Sequence, residues 1–273
     1  MAVSADSLPL TRRVSPRVEV LASTGSTNAD LVALVGAAPD AWPHLSVLLT
    51  DDQRAGRGRL DRVWKAPAGT ALAVSVLLRV AELPAAARGW LPLAAGAAMT
   101  RAVAAQSATA PVRARLKWPN DVLLFDHRLP DDPGRKLCGI LAEVVAVDPD
   151  AVVIGAGVNT AMSADQLPVD TAVSLQVVGL DADIDRLLAD YLRDLDEQLR
   201  ALVAAGGDAR EAGVHAAVTR LCVTIGERVK ASLPDGETLV GTAVELDPDG
   251  RLVVADDAGK RTAVGAGDVV HVR

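Results

Sequence analysis

Between two apolar runs, Leu45 to Thr50 and Thr70 to Val80, the chain carries Gln53-Arg54-Ala55-Gly56-Arg57-Gly58-Arg59-Leu60-Asp61-Arg62-Val63-Trp64. Arg54, Arg57, Arg59, Arg62 and Lys65 crowd around a single acid, Asp61, and such a loop repels itself unless an anion sits in it. Gly56 and Gly58 let backbone N–H groups approach a ligand closely, and the guanidinium fork matches carboxylate and phosphate oxygens. The chemistry read here is anion binding. The plain alternative is a solvated basic hairpin.

Four other clusters carry chemistry-bearing side chains. Lys117-Trp118-Pro119-Asn120-Asp121 sets a lysine, an amide and a carboxylate side by side at a turn, although Asn120-Asp121 alone would also suit an Asx turn. Lys136 opens the apolar run Lys136 to Val144, and Gly139, three residues on, removes side-chain bulk where a ligand could lie against a sheet. Gly155-Ala156-Gly157-Val158-Asn159 ends a second such run in an amide. Ser26-Thr27-Asn28 stands at the head of a helical pattern, where Ser26 or Thr27 serves as N-cap and all three suit a polar, uncharged ligand head.

Familiar nucleotide motifs fail. Gly56-x-Gly58 meets aspartate at position 61 and Gly155-x-Gly157 meets threonine at 160, so neither completes a dinucleotide fingerprint, and no Gly-x-x-x-x-Gly-Lys-Ser/Thr occurs.

The elements that must position these residues follow from periodicity. Arg17 to Leu21 reads as a strand, Ala29 to Ala38 as a helix, and the two runs flanking the arginine loop as buried strands. Arg88 to Ser107 reads as a long buried helix. Phe125 to Arg135, with Pro130, Pro133 and Gly134, reads as an exposed loop, and Lys136 to Val144 and Ala151 to Val158 as central strands. Asp181 to Ala205 and Asp208 to Leu221 are helices that cover a sheet. From Cys222 onward, turn signals separate about five short strands, which gives a small β-barrel. The expected divisions are a loose leader over 1–16, a catalytic or binding domain over 17–221 and the barrel over 222–273.

With 273 residues, half of them hydrophobic, the chain can bury a substantial core, and its formal charge of −7 makes the arginine loop a local exception. A small anionic partner is expected, with no DNA and no membrane. Cys138 and Cys222 lie in apolar contexts and no signal leader opens the chain, so a cytoplasmic location is expected. His44, His127, His215 and His271 are scattered, and no metal-ligand cluster is expected.

Taken in order, Ser26-Thr27-Asn28, Gln53…Gly56-Arg57-Gly58-Arg59…Arg62…Trp64, Lys117-Trp118-Pro119-Asn120-Asp121, Lys136…Gly139-Ile140-Leu141 and Gly155…Gly157-Val158-Asn159 resemble the biotin protein ligases from about residue 17 to the C-terminus. The resemblance implies an α+β fold: a mixed β-sheet domain flanked by helices, similar to class II aminoacyl-tRNA synthetases, then a small Src-homology-3-like barrel. It implies a monofunctional type, without the DNA-binding head of bifunctional members. It also implies two steps: biotin and ATP give biotinyl-5′-AMP, which then acylates a lysine on the biotin carboxyl carrier domain of an acyl-CoA carboxylase. Magnesium would be carried on the ATP phosphates, and the enzyme would be a monomer or weak homodimer.

By the same resemblance Ser26, Thr27, Asn28, Gln53, Gly56, Arg57, Gly58 and Arg59 would hold the biotin ring. Gly139, Gly155 and Gly157 would bed its tail. Lys136 would bridge the biotin carboxylate and the α-phosphate. Arg57, Arg59, Arg62, Trp64, Lys117, Asn120, Lys136 and Asn159 would contact ATP or the adenylate, and Lys136, Arg59 and Asp121 would be catalytic, Asp121 receiving the acceptor amine. Asp61 replaces a glycine common in relatives, and the 125–135 insertion is long. The loop's charge density implies disorder in the free protein and ordering with the adenylate. Two alternatives share the architecture: a lipoate or octanoate ligase or transferase, and a non-catalytic biotin or adenylate sensor.

Overall fold

The computed structural model describes residues 3–59, 62–233, 237–265 and 268–272. The expected loose leader instead contains a helix, α1 (Pro9–Val14), which lies against the long helix α4 (Ile184–Ala204). Leu8, at its N-cap, offers no side-chain acceptor. The carboxylate of Asp185 substitutes, accepting from the Leu10 and Thr11 backbone N–H groups at 2.7 and 2.8 Å, so the cap comes from a residue far away in sequence.

After α1 come β1 (Val18–Val20), α2 (Thr27–Ala37), β2 (Val47–Thr50), the two short strands β3 (Gly56–Arg57) and β4 (Val63–Trp64), and β5 (Ala71–Arg79). Next are α3 (Leu91–Gln106), β6 (Val112–Lys117), β7 (Asp121–Asp126), β8 (Arg135–Val145), β9 (Asp148–Asn159), α4 (Ile184–Ala204) and α5 (Val214–Leu221). A seven-stranded sheet runs in the order β1-β2-β5-β9-β8-β7-β6. Only β1 and β2 pair in parallel within it, which makes the sheet mixed as expected.

Alternation along β5 sorts the layers. Leu72, Val74, Val76 and Leu78 join the apolar cluster formed with α3 and α4. Leu77 points the other way, where it joins Leu31 and Val35 of α2 together with Leu48, Val145 and Val153. Because α2 is short, it covers this second face at Leu77 and Val153, while Ala73, Gly157 and Gly139 on the same face line a cleft.

Several boundaries shift for physical reasons. The helix expected from Asp208 starts at Val214 because Asp208 accepts from the Arg210 and Glu211 N–H groups in a turn and Gly213 adopts a φ of 73°. In the insertion, Phe125 and Asp126 complete β7 and Arg135 opens β8, leaving 127–134 as the connection. Gly134 has a φ of 74°, and a Cβ there would lie 2.5 Å from the Phe125 ring.

The C-terminal part contains β10 (Arg228–Ser232), β11 (Thr238–Leu246), β12 (Leu252–Ala255), β13 (Arg261–Val264) and β14 (Asp268–His271), an antiparallel sheet in the order β13-β12-β11-β10-β14. Its apolar residues Val229, Ala243, Leu246 and Val254 belong to the same cluster as Trp90, Leu116 and Trp118. Indole N–H groups fasten the two parts: Trp118 donates to Gly250 O at 3.1 Å and Trp90 to Pro248 O at 2.7 Å. Among the described residues no helix is long and apolar enough to cross a membrane.

Candidate active site

Cross-strand register builds the floor of the cleft. Ala73, Gly157, Gly139, Asp121 and Lys117 are successive partners across β5, β9, β8, β7 and β6, so the row passes from bare backbone to a carboxylate and an ammonium. The adjacent row, Ser75, Gly155 and Leu141, is also small at its centre. A Cβ on Gly155 would fall 2.3 Å from Asn28 Oδ1, and one on Gly157 would fall 3.0 Å from the Trp64 ring. The glycines are therefore required by what already lies over them. The cleft has a volume of about 570 Å³, ample for a vitamin-sized acid with part of a nucleotide.

At one end stands the polar start of α2. Ser26 is the N-cap, its hydroxyl accepting from Ala29 N–H at 3.4 Å. Gln53 Oε1 accepts from the Thr27 N–H at 2.8 Å and the Thr27 hydroxyl at 3.1 Å. The Ser75 hydroxyl lies 2.6 Å from Asn28 Oδ1 and 2.8 Å from Thr27 Oγ1. Asn28 donates through Nδ2 to Glu143 at 2.8 Å. This end offers neutral donors and acceptors in fixed orientations, suited to an uncharged polar head.

At the other end Lys136 Nζ forms an ion pair with Asp121 Oδ1 at 2.6 Å and lies 3.1 Å from where a Gly139 Cβ would be. Asn120 fixes the neighbouring turn: its side-chain Nδ2 donates to Ile140 O at 2.7 Å and its backbone carbonyl accepts from Ile140 N–H at 2.8 Å. Lys117, expected beside the nucleotide, borders this end as the register partner of Asp121.

The arginine loop forms a hairpin over the cleft. Gly56 pairs with Trp64 and Arg57 with Val63, and Gly58 N–H donates to Arg62 O at 2.7 Å. Gly56 is again obligatory, since a Cβ would meet Gln53 Nε2 and Trp64 O at 2.6 Å. Arg57 ion-pairs with Glu143 at 2.9 Å, Arg59 donates to Asn120 Oδ1 at 3.4 Å, and Arg54 turns outward to Asp52 at 2.8 Å. Arg57, Arg59, Arg62 and Lys65 all border the cleft. Asp61 lies outside the described residues.

Asn159 is buried at the border of the cleft, and its Nδ2 donates to Val173 O at 3.0 Å and Lys136 O at 3.4 Å. It anchors the segment around Pro168 to Ala172, which lines the cleft from the far side. Every site residue expected from sequence except Gly56 borders the cleft, and Gly56 sits directly behind Trp64. Sequence reasoning missed Ser75 and Glu143, which hold Thr27, Asn28 and Arg57 in place, and it missed the 168–172 segment with Val269 and Val270 from β14, which line the cleft. Ser75 and Glu143 had a signal: each is a lone polar residue facing inward from an otherwise apolar stretch.

Cys138 is buried on the opposite face of β8, and burial pushes its thiol up to about 12, which leaves it unreactive. His44 bridges Arg79 N–H and Asp196, and His215 contacts Leu246 O and the Trp90 ring; both are structural. No group of three metal-ligating side chains assembles among the described residues.

The profile of the Biotin/lipoate A/B protein ligase family matches residues 21–159, and that of the Biotin protein ligase C terminal domain matches residues 224–272. A curated relative, the biotin–[acetyl-CoA-carboxylase] ligase of Mycobacterium tuberculosis, is 40% identical over 258 residues, covering 94% of this chain and 90% of the relative. The chain belongs to the biotin protein ligase family. A more distant member, the bifunctional ligase/repressor BirA of Escherichia coli, is 32% identical over 88% of this chain and 70% of its own length. Among solved structures, the biotin protein ligase of Aquifex aeolicus in complex with biotin and ATP superposes with a TM-score of 0.72 at 23% identity, over 94% of this chain and 99% of that one. At that identity the likeness is one of fold.

Proposed function

We propose that the protein is an ATP-dependent ligase that activates biotin as biotinyl-5′-AMP and transfers it to a lysine of a carboxylase carrier domain. The observation that carries this reading is the cleft's polarity. A neutral hydrogen-bonding end, a glycine floor and a lysine–aspartate end lie in line under a cationic hairpin. Biotin has the same order: an uncharged ureido ring, an apolar tail and a carboxylate.

Ser26, Thr27, Asn28 and Gln53 hold the ring, and the tail lies along Gly155, Gly157 and Gly139 to bring its carboxylate to Lys136. The carboxylate oxygen then attacks the α-phosphate, forming an O–P bond as pyrophosphate leaves. Two anions must meet for this, so positive charge from Lys136, Arg59 and Arg62 lowers the barrier. Magnesium would travel on the ATP phosphates, since Asp121 in the cleft and Glu143 beside Asn28 are already paired with Lys136 and Arg57. Trp64 borders the nucleotide, while Asn120 and Asn159 act by fixing the turn and the far wall.

The hairpin closes over the mixed anhydride and keeps water from it. In the second step the acceptor amine attacks the acyl carbon, Asp121 takes its proton and AMP departs. The C-terminal profile match favours biotin over lipoate or octanoate. Purified protein with ATP and a recombinant biotin carboxyl carrier domain is expected to add one biotin to one lysine, with no product from lipoate or octanoate. Transfer of lipoate in place of biotin would assign the other acid, and tight biotin binding without transfer would assign a sensor.

A further inference from the structure

The side chains at the neutral end of the cleft form a chain of contacts that returns to where it began. Gln53 contacts Thr27, Thr27 contacts Ser75, Ser75 contacts Asn28, Asn28 contacts Glu143, and Glu143 contacts Arg57. Gln53 and Arg57 are the two ends of one turn of the arginine loop. The loop is thus tied to the floor at both ends, through α2, β5 and β8.

Glu143 and Arg57 are the ionised members of this chain of contacts, and Glu143 is the one that stands on the floor. It follows Gly139 and Leu141 on the cleft face of β8; its side chain is 25% exposed and that of Arg57 49%, so solvent screens the charge attraction in part and the pair's role is to fix geometry. Arg57 Nη2 lies 2.9 Å from Oε1 and 3.1 Å from Oε2, while Oε2 also accepts from Asn28. Both Nδ2 protons of Asn28 are directed to acceptors, Glu143 and, at 3.3 Å, Leu141 O, leaving Oδ1 towards Ser75. Glu143 therefore sets which way the Asn28 amide faces and where Arg57 anchors the hairpin.

We propose that Glu143 is a positioning residue: through Asn28 and Arg57 it couples an ordered ring-binding floor to a closed arginine hairpin, so that the adenylate is retained. This rests on the ligase reading above. Arg57 thereby works as the hairpin's anchor, and the phosphates fall to the other cations bordering the cleft. Loss of the anchor opens the hairpin to water, which hydrolyses the bound adenylate to biotin and AMP.

The test separates formation of the adenylate from its retention. With no carrier present, Glu143→Gln is expected to shorten the lifetime of enzyme-held biotinyl-adenylate about tenfold, the scale of one hydrogen bond to a charged group, while slowing its formation less than about threefold. Arg57→Ala should shorten the lifetime of the held adenylate to the same extent. The double variant should lose adenylate no more than about twofold faster than the worse single variant, because both changes remove one interaction. Retention in Glu143→Gln equal to that of the native protein, or losses that multiply in the double variant, would overturn the proposal while leaving the ligase reading intact. No adenylate in the native protein would overturn that reading and the proposal with it.

Discussion

At the residue scale, close approach decides what each position tolerates. Gly155 has no room for a methyl, because a Cβ would meet Asn28 Oδ1 at 2.3 Å and Asn28 is held on three sides. Gly155→Ala should weaken biotin binding by about tenfold or more, the usual effect of one misplaced methyl in a fitted site. Calorimetric titration with biotin checks this, and unchanged affinity would show that Asn28 can yield. The motif residues were legible because each combines unusual types locally: hydroxyls before a helix, arginines between glycines, a lysine before a bare strand. Glu143 and Ser75 showed only as lone polar residues in apolar stretches, and their roles stayed hidden because their partners Arg57, Asn28 and Thr27 lie far away in sequence.

At the element scale, two hairpins behave differently. In the β7–β8 connection, the Arg128 side chain holds the Asp126 carboxyl down to about 2 from its ordinary 3.8, with the Arg128 N–H and its charge assisting. A depressed carboxyl stabilises the fold fully above its unfolded pKa and loses that contribution as pH falls towards the folded one. Asp126→Asn should therefore be less stable than native at pH 6, with the gap closing between about pH 4 and pH 2. A gap independent of pH in denaturant titrations would remove the Arg128 pair as its cause. For the arginine hairpin the expected change comes with ligand: amide exchange over 56–64 should slow when biotin and ATP are added together, and equal exchange with and without them would contradict ligand-driven ordering. The helix α1 escaped the sequence because its cap is Asp185, and six residues between two prolines hold no periodic signal of their own.

At the scale of the whole molecule, the mixed sheet and the short C-terminal strands were legible from apolar runs and turn residues. Their union was not, because it depends on Trp90 and Trp118 reaching the carbonyls of Pro248 and Gly250. One apolar cluster spans both parts, so the chain should melt in a single calorimetric transition, and two resolved transitions would show the C-terminal sheet to be independent. Trp118→Phe should lower stability by about 1–3 kcal/mol through the unpaired buried Gly250 carbonyl.

On the proposed function, the cleft joins biotin to AMP at Lys136. Exchange of labelled pyrophosphate into ATP tests it most directly, comparing the native protein with Lys136→Ala. Exchange should require biotin, ignore lipoate and fall by at least about a hundredfold in the variant, the scale of losing a preorganised charge at the reacting centre. Biotin-independent exchange, or full exchange without Lys136, would contradict it.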